Sequence, residues 1–197
     1  MPCEKMPLGV LVDIKTGAPM SRAKKIAKGD EVVTARVLIP AALSSSRIED
    51  GLLAEEAVSK VKDELFTKEG DVVVKASTPY DCAFVDKKHE GLLVTSFGLI
   101  LRSLPGSPVD MRYLAIYLGL EQTNKELQLM SKGMTIQLIK KRDLGDLLVP
   151  VPSAEEQARL AELFEETQRC KQICRMLAAK SDVLLQSEFY RSVHCTE

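Results

Sequence analysis

From Ala154 to about Arg191 the sequence contains neither glycine nor proline, and this run constrains the fold more than any other feature of the chain. A stretch that long without a helix breaker predicts one continuous helix, which over 38 residues extends roughly 57 Å. That is longer than the body of a domain this size, so the helix needs a surface to pack against. Leu160, Thr167, Cys174 and Ser181 recur every seven residues, as do Leu163, Cys170, Leu177 and Leu184, and together they form a heptad seam. Thr167 and Ser181 are polar, and Phe164 and Ile173 add apolar surface beside the seam. This suits antiparallel packing in a small bundle better than an isolated two-stranded coil; the alternative is a helix folded back on its own domain.

The residues just before the run show how it starts. Leu147 to Val151 is short and apolar and reads as a strand, with Pro150 and Pro152 marking it as an edge or a strand end. Ser153 stands three residues before Glu156, the spacing of a capping box, in which the serine hydroxyl and the glutamate carboxylate each take an orphan amide. The expected organisation is therefore a mixed α/β (α+β) globular domain over 1–152 followed by a long helical region over 153–197.

Charge limits the partners. The chain has 27 basic and 28 acidic residues; 1–152 carries 21 and 20 of these, and 153–197 carries 6 and 8. Nothing global calls for a polyanion, so a nucleic-acid face would have to segregate its cations in space. The longest apolar region, Leu92 to Leu104, is interrupted by polar residues and is too short to span a bilayer, and the start lacks the apolar core of a signal peptide. These features predict a cytoplasmic protein. Cys3, Cys82, Cys170, Cys174 and Cys195 are scattered without a CxxC pair, and the histidines are only His89 and His194, so free thiols and no metal site are expected.

Along the first 152 residues, strands are predicted over Glu31 to Ile39, Asp71 to Lys75, Cys82 to Val85 and Leu92 to Arg102, from β-branched content and bounding turn residues. Ala41 to Ile48 reads as a small-residue linker. Leu53, Ala57, Val58, Val61 and Leu65 fall at helical spacing, predicting an amphipathic helix over Leu53 to Phe66. Asp110 is a plausible N-cap for a helix over Met111 to Leu120, and a second short helix is expected over Lys125 to Met130.

No catalytic constellation stands out. Phosphate-binding loops, HExxH and GxSxG are absent from the sequence. Asp86-Lys87-Lys88 has the acid-x-Lys spacing of some metal-dependent nucleases, with Asp71 or Asp81 as a second carboxylate, but the tripeptide is common by chance. A cysteine nucleophile would need a neighbouring histidine. The features that remain are loops rich in cations and hydroxyls: Ser21 to Lys28, Lys75 to Tyr80, Lys87 to His89, and Lys132 to Arg142. Lys and Arg in such loops bind phosphates, while Ser, Thr, Tyr and Arg can reach base edges. The candidate DNA-contacting residues are Arg22, Lys24, Lys25, Lys28, Lys75, Ser77, Thr78, Tyr80, Lys87, Lys88, Lys140 and Lys141.

The order of elements resembles a known family. Lys68-Glu69-Gly70-Asp71-Val72-Val73-Val74, then Leu93 through Arg102, Tyr113-Leu114 and Tyr117-Leu118, Ser131 through Ile136, and Val149-Pro150-Val151-Pro152 followed by Glu155-Glu156-Gln157 are similar to the specificity (S) subunit of Type I restriction-modification systems. The resemblance covers about residues 8 to 190 and implies a non-enzymatic protein without cofactor. Such subunits carry target-recognition domains that read double-stranded DNA, joined by helices that act as spacers and dock adenine methyltransferase subunits, with a restriction subunit in some assemblies. A complete S subunit has two recognition domains and two helical regions, whereas this chain has one of each. The implied arrangement is a homodimer that packs its helices together and reads two half-sites. The rival reading is a dimeric interaction module whose recognition domain no longer reads DNA.

Overall fold

A computed structural model describes residues 4–27, 29–44, 46–130 and 138–194. The chain forms two compact units, 1–158 and 159–197.

The first unit opens with strand β1 (Glu4–Pro7), a four-residue helix α1 (Leu8–Leu11) and strand β2 (Val12–Thr16). The short helix α2 (Met20–Ala23) leads to β3 (Val32–Leu38). A small hairpin of β4 (Leu43–Ser44) and β5 (Arg47–Ile48) follows, then β6 (Ala54–Ser59), β7 (Val72–Lys75), β8 (Cys82–Phe84), β9 (Leu93–Val94) and β10 (Gly98–Ser103). Helices α3 (Met111–Gly119), α4 (Glu121–Met130) and α5 (Lys141–Gly145) precede strand β11 (Leu148–Val151) and the long helix α6 (Ala154–His194).

The central sheet has the order β2-β10-β7-β8, with every neighbouring pair antiparallel. Its middle strands are buried on both faces: Val72, Val73, Val74, Ile100 and Leu101 have no exposed surface. This explains the continuous apolar runs, since a strand covered on both sides gains nothing from alternating polar residues. A second sheet, β6-β3-β9, packs Ala35, Val37, Val58 and Leu93 against Ala18 and Ala23. Strand β11 pairs antiparallel with β1, placing Pro150 opposite Lys5 and Pro7 opposite Leu148 in a two-stranded sheet where missing amides are tolerated.

Several sequence expectations change. The amphipathic helix over Leu53 to Phe66 is not formed: Ala54–Ser59 is strand β6, paired residue for residue with β3, and Asp63–Leu65 is a single 3₁₀ turn. Strand β3 needs a hydrogen-bonding neighbour along its length, and a marginal helical pattern of five small and medium apolar residues does not compete with that. Val61, Leu65 and Phe66 still reach the core, packed against the second sheet. The linker over Ala41 to Ile48 is instead a 3₁₀ turn plus the β4–β5 hairpin, with Ala42, Leu43 and Ile48 buried. The strand expected over Leu92 to Arg102 divides into β9 and β10 around a turn at Thr95, closed by the Gly98 amide donating to the Thr95 carbonyl at 2.8 Å. The second of the two short helices begins at Glu121 and not at Lys125.

Other features match their local signals. The Asp110 carboxylate accepts from the amides of Arg112 (2.7 Å) and Tyr113 (3.4 Å), capping α3. Ser153 Oγ accepts from the Glu156 amide at 3.3 Å at the start of α6. A stronger anchor at that junction is Gln157, which is buried. Its Oε1 accepts from the Asp110 amide at 2.7 Å, and its Nε2 donates to the carbonyls of Pro108 (3.0 Å) and Pro152 (2.9 Å). Three hydrogen bonds from one side chain fix the first helical turn against the loop before α3.

In the second unit, α6 continues to His194; Ala161 is buried and Leu160 and Phe164 are half-buried, whereas Leu163, Ile173, Leu177, Leu184 and Phe189 are exposed. None of the helices, among the described residues, is long and apolar enough to cross a membrane.

Candidate nucleic-acid interface

The register of the central sheet decides which loops share a neighbourhood. Thr16 lies opposite Leu99, Gly98 opposite Lys75, and Val74 opposite Cys82. The loop after β2, the turn before β10 and the loop between β7 and β8 therefore emerge at the same end of the sheet. A fourth segment joins them there, because the Ile139 amide donates to the Ala76 carbonyl at 2.8 Å and Leu138 bridges to Ser77. The start of the loop after β2, the β7–β8 loop and the segment at Leu138–Lys140 thus meet through pairings between residues far apart in sequence, while residues 132–137 of the last loop lie outside the described residues.

The loop at Lys87 to His89 does not. Lys87 and Lys88 belong to a 3₁₀ turn following β8, at the opposite end of the sheet, roughly 10 Å away by strand rise alone. Lys88 is ion-paired with Asp50, which lowers the Asp50 carboxyl below its ordinary value, and His89 Nδ1 lies 2.7 Å from Asp86. This loop is tied to the protein and separate from the convergent face.

The loop after β2 is held close to the sheet by Gly17 and Ala18. The Gly17 amide donates to the Gly98 carbonyl at 3.0 Å, the Ala18 amide to Val94 at 2.7 Å, and the Ser96 amide back to Ala18 at 2.8 Å. A Cβ on Gly17 would overlap the Thr95 carbonyl oxygen and sit 2.5 Å from that of Val94, so only glycine fits this crossing. Ala23 is buried in the second sheet's core, which leaves Arg22, Lys24 and Lys25 on the outer side of the same short helix and its exit. Lys24 is engaged, 2.7 Å from Glu56. Asp30 closes the loop by accepting from the Ala27 amide at 2.9 Å, which lowers its pKa, and by pairing with Lys60 at 2.9 Å. Lys28 lies outside the described residues.

In the loop between β7 and β8, Lys75 is half-buried and 3.9 Å from Asp81, whose carboxyl is raised by burial against the pull of that lysine. Ser77 is half-buried, Thr78 is exposed and the Thr78–Pro79 peptide is cis. Tyr80 corrects the sequence reading: its side chain is fully buried and its amide donates to Asn124 Oδ1 at 2.9 Å, so it supports the loop from beneath and offers nothing to a ligand. Lys140 is exposed beside this end, while Lys141 turns away into α5 with its Nζ 3.8 Å from Asp13.

Phe97 was missed by sequence reasoning. It occupies the turn before β10 with its carbonyl accepting from the Ala76 amide at 2.8 Å, and the residue is 53% exposed. A large aromatic exposed on a hydrogen-bonded turn among polar loops is an informative exposure. Its only sequence signal is an aromatic preceding a glycine in an otherwise aliphatic run.

The acidic residues do not make a nuclease site. Asp71 is buried and takes a bidentate contact from Arg102, Nε to Oδ1 at 2.9 Å and a terminal nitrogen to Oδ2 at 2.7 Å. Asp81 lies at the other end of the β7–β8 hairpin, because Lys75 donates its amide to the Asp81 carbonyl while Val85 donates to that of Asp71. Among the described residues, no three His, Cys, Asp or Glu side chains are placed to hold a metal ion.

A β-rich α/β unit followed by one long C-terminal helix is a fold with solved counterparts. It matches the HsdS subunit from Thermoanaerobacter tengcongensis (TM-score 0.64, 17% identity, 100% of this chain and 51% of that one). It also matches the Type I restriction-modification S subunit from M. genitalium (TM-score 0.60, 16% identity, 98% and 46%). A third match is a chain from a structure addressing assembly and conformational transition of the type I R-M system (TM-score 0.64, 18% identity, 94% and 43%). The fold is that of Type I specificity subunits, and the chain spans about half the length of the proteins it matches. No family model and no curated protein matches the sequence.

Proposed function

We propose that this chain is a DNA-recognition subunit of a Type I-like restriction-modification system, with residues 1–152 reading DNA and residues 153–197 joining two copies and docking methyltransferase subunits. The observation that carries the reading is the convergence of the loops after β2, before β10 and between β7 and β8 with the segment at Leu138–Lys140 at one sheet end, in a fold shared with S subunits. Arg22, Lys25 and Lys140 would contact phosphates there; Ser77, Thr78 and Phe97 would approach bases, Phe97 by apolar contact with a thymine methyl or a base step. Since one chain carries a single recognition unit, two copies would read two identical half-sites of an interrupted, symmetric target. The protein itself supplies position and specificity; the chemistry belongs to its partners.

A second reading is an interaction module that no longer reads DNA. It draws on the ion pairs that occupy Lys24, Lys75, Lys88 and Lys141, and on the near balance of 27 basic and 28 acidic residues. Titration with mixed-sequence duplex DNA at two salt concentrations, with and without the methyltransferase, separates the two. Affinity that falls steeply with salt supports recognition and excludes the module. Absence of binding under every condition excludes recognition.

A further inference from the structure

The heptad seam of α6 is self-complementary in one antiparallel register, and its centre is marked by cysteines. We propose that two copies of this chain pack α6 against α6 antiparallel, with the two-fold axis between Cys170 and Cys174, so that Cys170 of each copy faces Cys174 of the other. This deepens the dimer reading above and rests on it.

Of the seam residues, Leu160 is half-buried and the other seven are exposed in the single chain. In an antiparallel coiled coil, residues of one heptad track face residues of the other track on the mate, whereas in a parallel coil each track faces itself. Centring the axis between Cys170 and Cys174 pairs Leu160 with Leu184, Thr167 with Leu177 and Ser181 with Leu163, twice each by symmetry. Every polar seam residue then meets a leucine, and all four layers are filled. A parallel pair would stack Thr167 on Thr167 and Ser181 on Ser181. A shift by one heptad in either direction leaves Cys170 opposite Thr167 or Ser181 and breaks the Leu160 to Leu184 pairing.

The flanks agree with this register. On one side of the seam Glu166 comes beside Lys180 of the mate, twice, and Ile173 meets its own copy at the axis. The opposite flank places Lys171 near its copy, a repulsion at a solvated edge where its cost is small. Leu163, Ile173, Leu177 and Leu184 are 52%, 49%, 60% and 64% exposed in the single chain, so the apolar surface that such a pair would cover is present and uncovered. Cys170 and Cys174 are free and exposed. Facing seam residues in a coiled coil approach closely enough for a disulfide, which needs Cα atoms about 4.4–6.8 Å apart.

The test is oxidative cross-linking of the full chain in a background carrying Cys3→Ser and Cys195→Ser; Cys82 is buried. Diamide takes two electrons and two protons from two thiols, giving the disulfide and the hydrazine. The parent should run as a covalent dimer, while Cys170→Ser alone and Cys174→Ser alone should each give none, because each removes one partner of every facing pair. Mixing the two variants and allowing exchange should restore cross-linking in about half of the dimers, those holding one chain of each kind. Self-cross-linking of either single variant means that like faces like, and overturns the proposal. So does a parent that fails to cross-link. Light scattering on the same samples then separates the failures: a dimer without the predicted cross-links refutes only the register, whereas a monomer refutes the dimer reading with it.

Discussion

The two cysteine environments contrast the two units of the molecule. Cys82 in β8 is completely buried, donates to the Ala115 carbonyl at 3.1 Å, and has its thiol pushed up to about 12 by burial. Cys170 and Cys174 on α6 are exposed among uncovered leucines. The first unit is closed: its sheets bury a core within the chain, and pairs such as Asp71 with Arg102 are satisfied inside it. The helix carries a heptad seam in sequence, and past its first turns the seam leucines stay exposed in the single chain, an apolar face left open.

The largest break in this contrast is expected at Gly17. A valine there would drive its Cβ into the backbone carbonyls of Val94 and Thr95, which cannot move without parting β9 from the loop after β2. The loss should exceed the roughly 1–3 kcal/mol of ordinary overpacking and unfold the first unit. Circular dichroism should show β-structure lost, with a helical signal surviving in proportion to α6. Replacing Asp71 by alanine is the next largest, about 3–5 kcal/mol, because Arg102 would be left without the carboxylate that grips it through two hydrogen bonds. A thermal melt unchanged by that substitution would mean the pair contributes little.

Gln157 tests the border of the closed unit. Leucine there removes three part-buried hydrogen bonds and leaves the Asp110 amide and the Pro108 carbonyl without this partner, a cost of about 1–3 kcal/mol. Ser153→Ala should cost only about 1 kcal/mol, since its cap hydrogen bond is long and exposed. If the two substitutions were equal in a denaturant titration, the capping box and not the glutamine would be the anchor.

How much of this was legible in the sequence follows from how local each signal is. The long helix, the Asp110 cap, β7 and the strand before Ser153 rest on neighbouring residues and were readable. The helical reading of Ala54–Ser59 fails because its pairing is decided by β3, from Val37 opposite Ala54 to Val32 opposite Ser59, outside any local window. Thr78 and Lys140 could be nominated by type, but the nearness of their segments follows from the β2-β10-β7 register and the pairing of Ser77 with Leu138, which no local pattern contains. Tyr80 is nominated for its hydroxyl and Phe97 passes unnoticed for the same reason: tertiary packing, which no local pattern contains, buries the tyrosine and exposes the phenylalanine.

The remaining predictions act on the helix and leave the closed unit alone. Glutamate at both Leu163 and Leu177 would bury unpaired charge in a seam, so it should yield a monomer by light scattering while the melting of the first unit is unchanged. A dimer that persists would mean the seam is not the interface. The smallest perturbation is chemical, a thiol reagent applied at pH 8. Cys170 and Cys174 should react readily in the monomeric variant and slowly in the parent, where they would lie inside the seam, whereas Cys82 should be inert in both. Because burial raises the Cys82 thiol from about 9 to about 12, the folded state holds a proton there that the unfolded state releases. The sign follows directly: this contribution is fully present below about pH 9 and is lost as pH climbs toward 12, so Cys82 should become reactive only as alkaline unfolding sets in. Equal protection of all three thiols in the Leu163→Glu, Leu177→Glu protein would show that something other than a second seam covers Cys170 and Cys174.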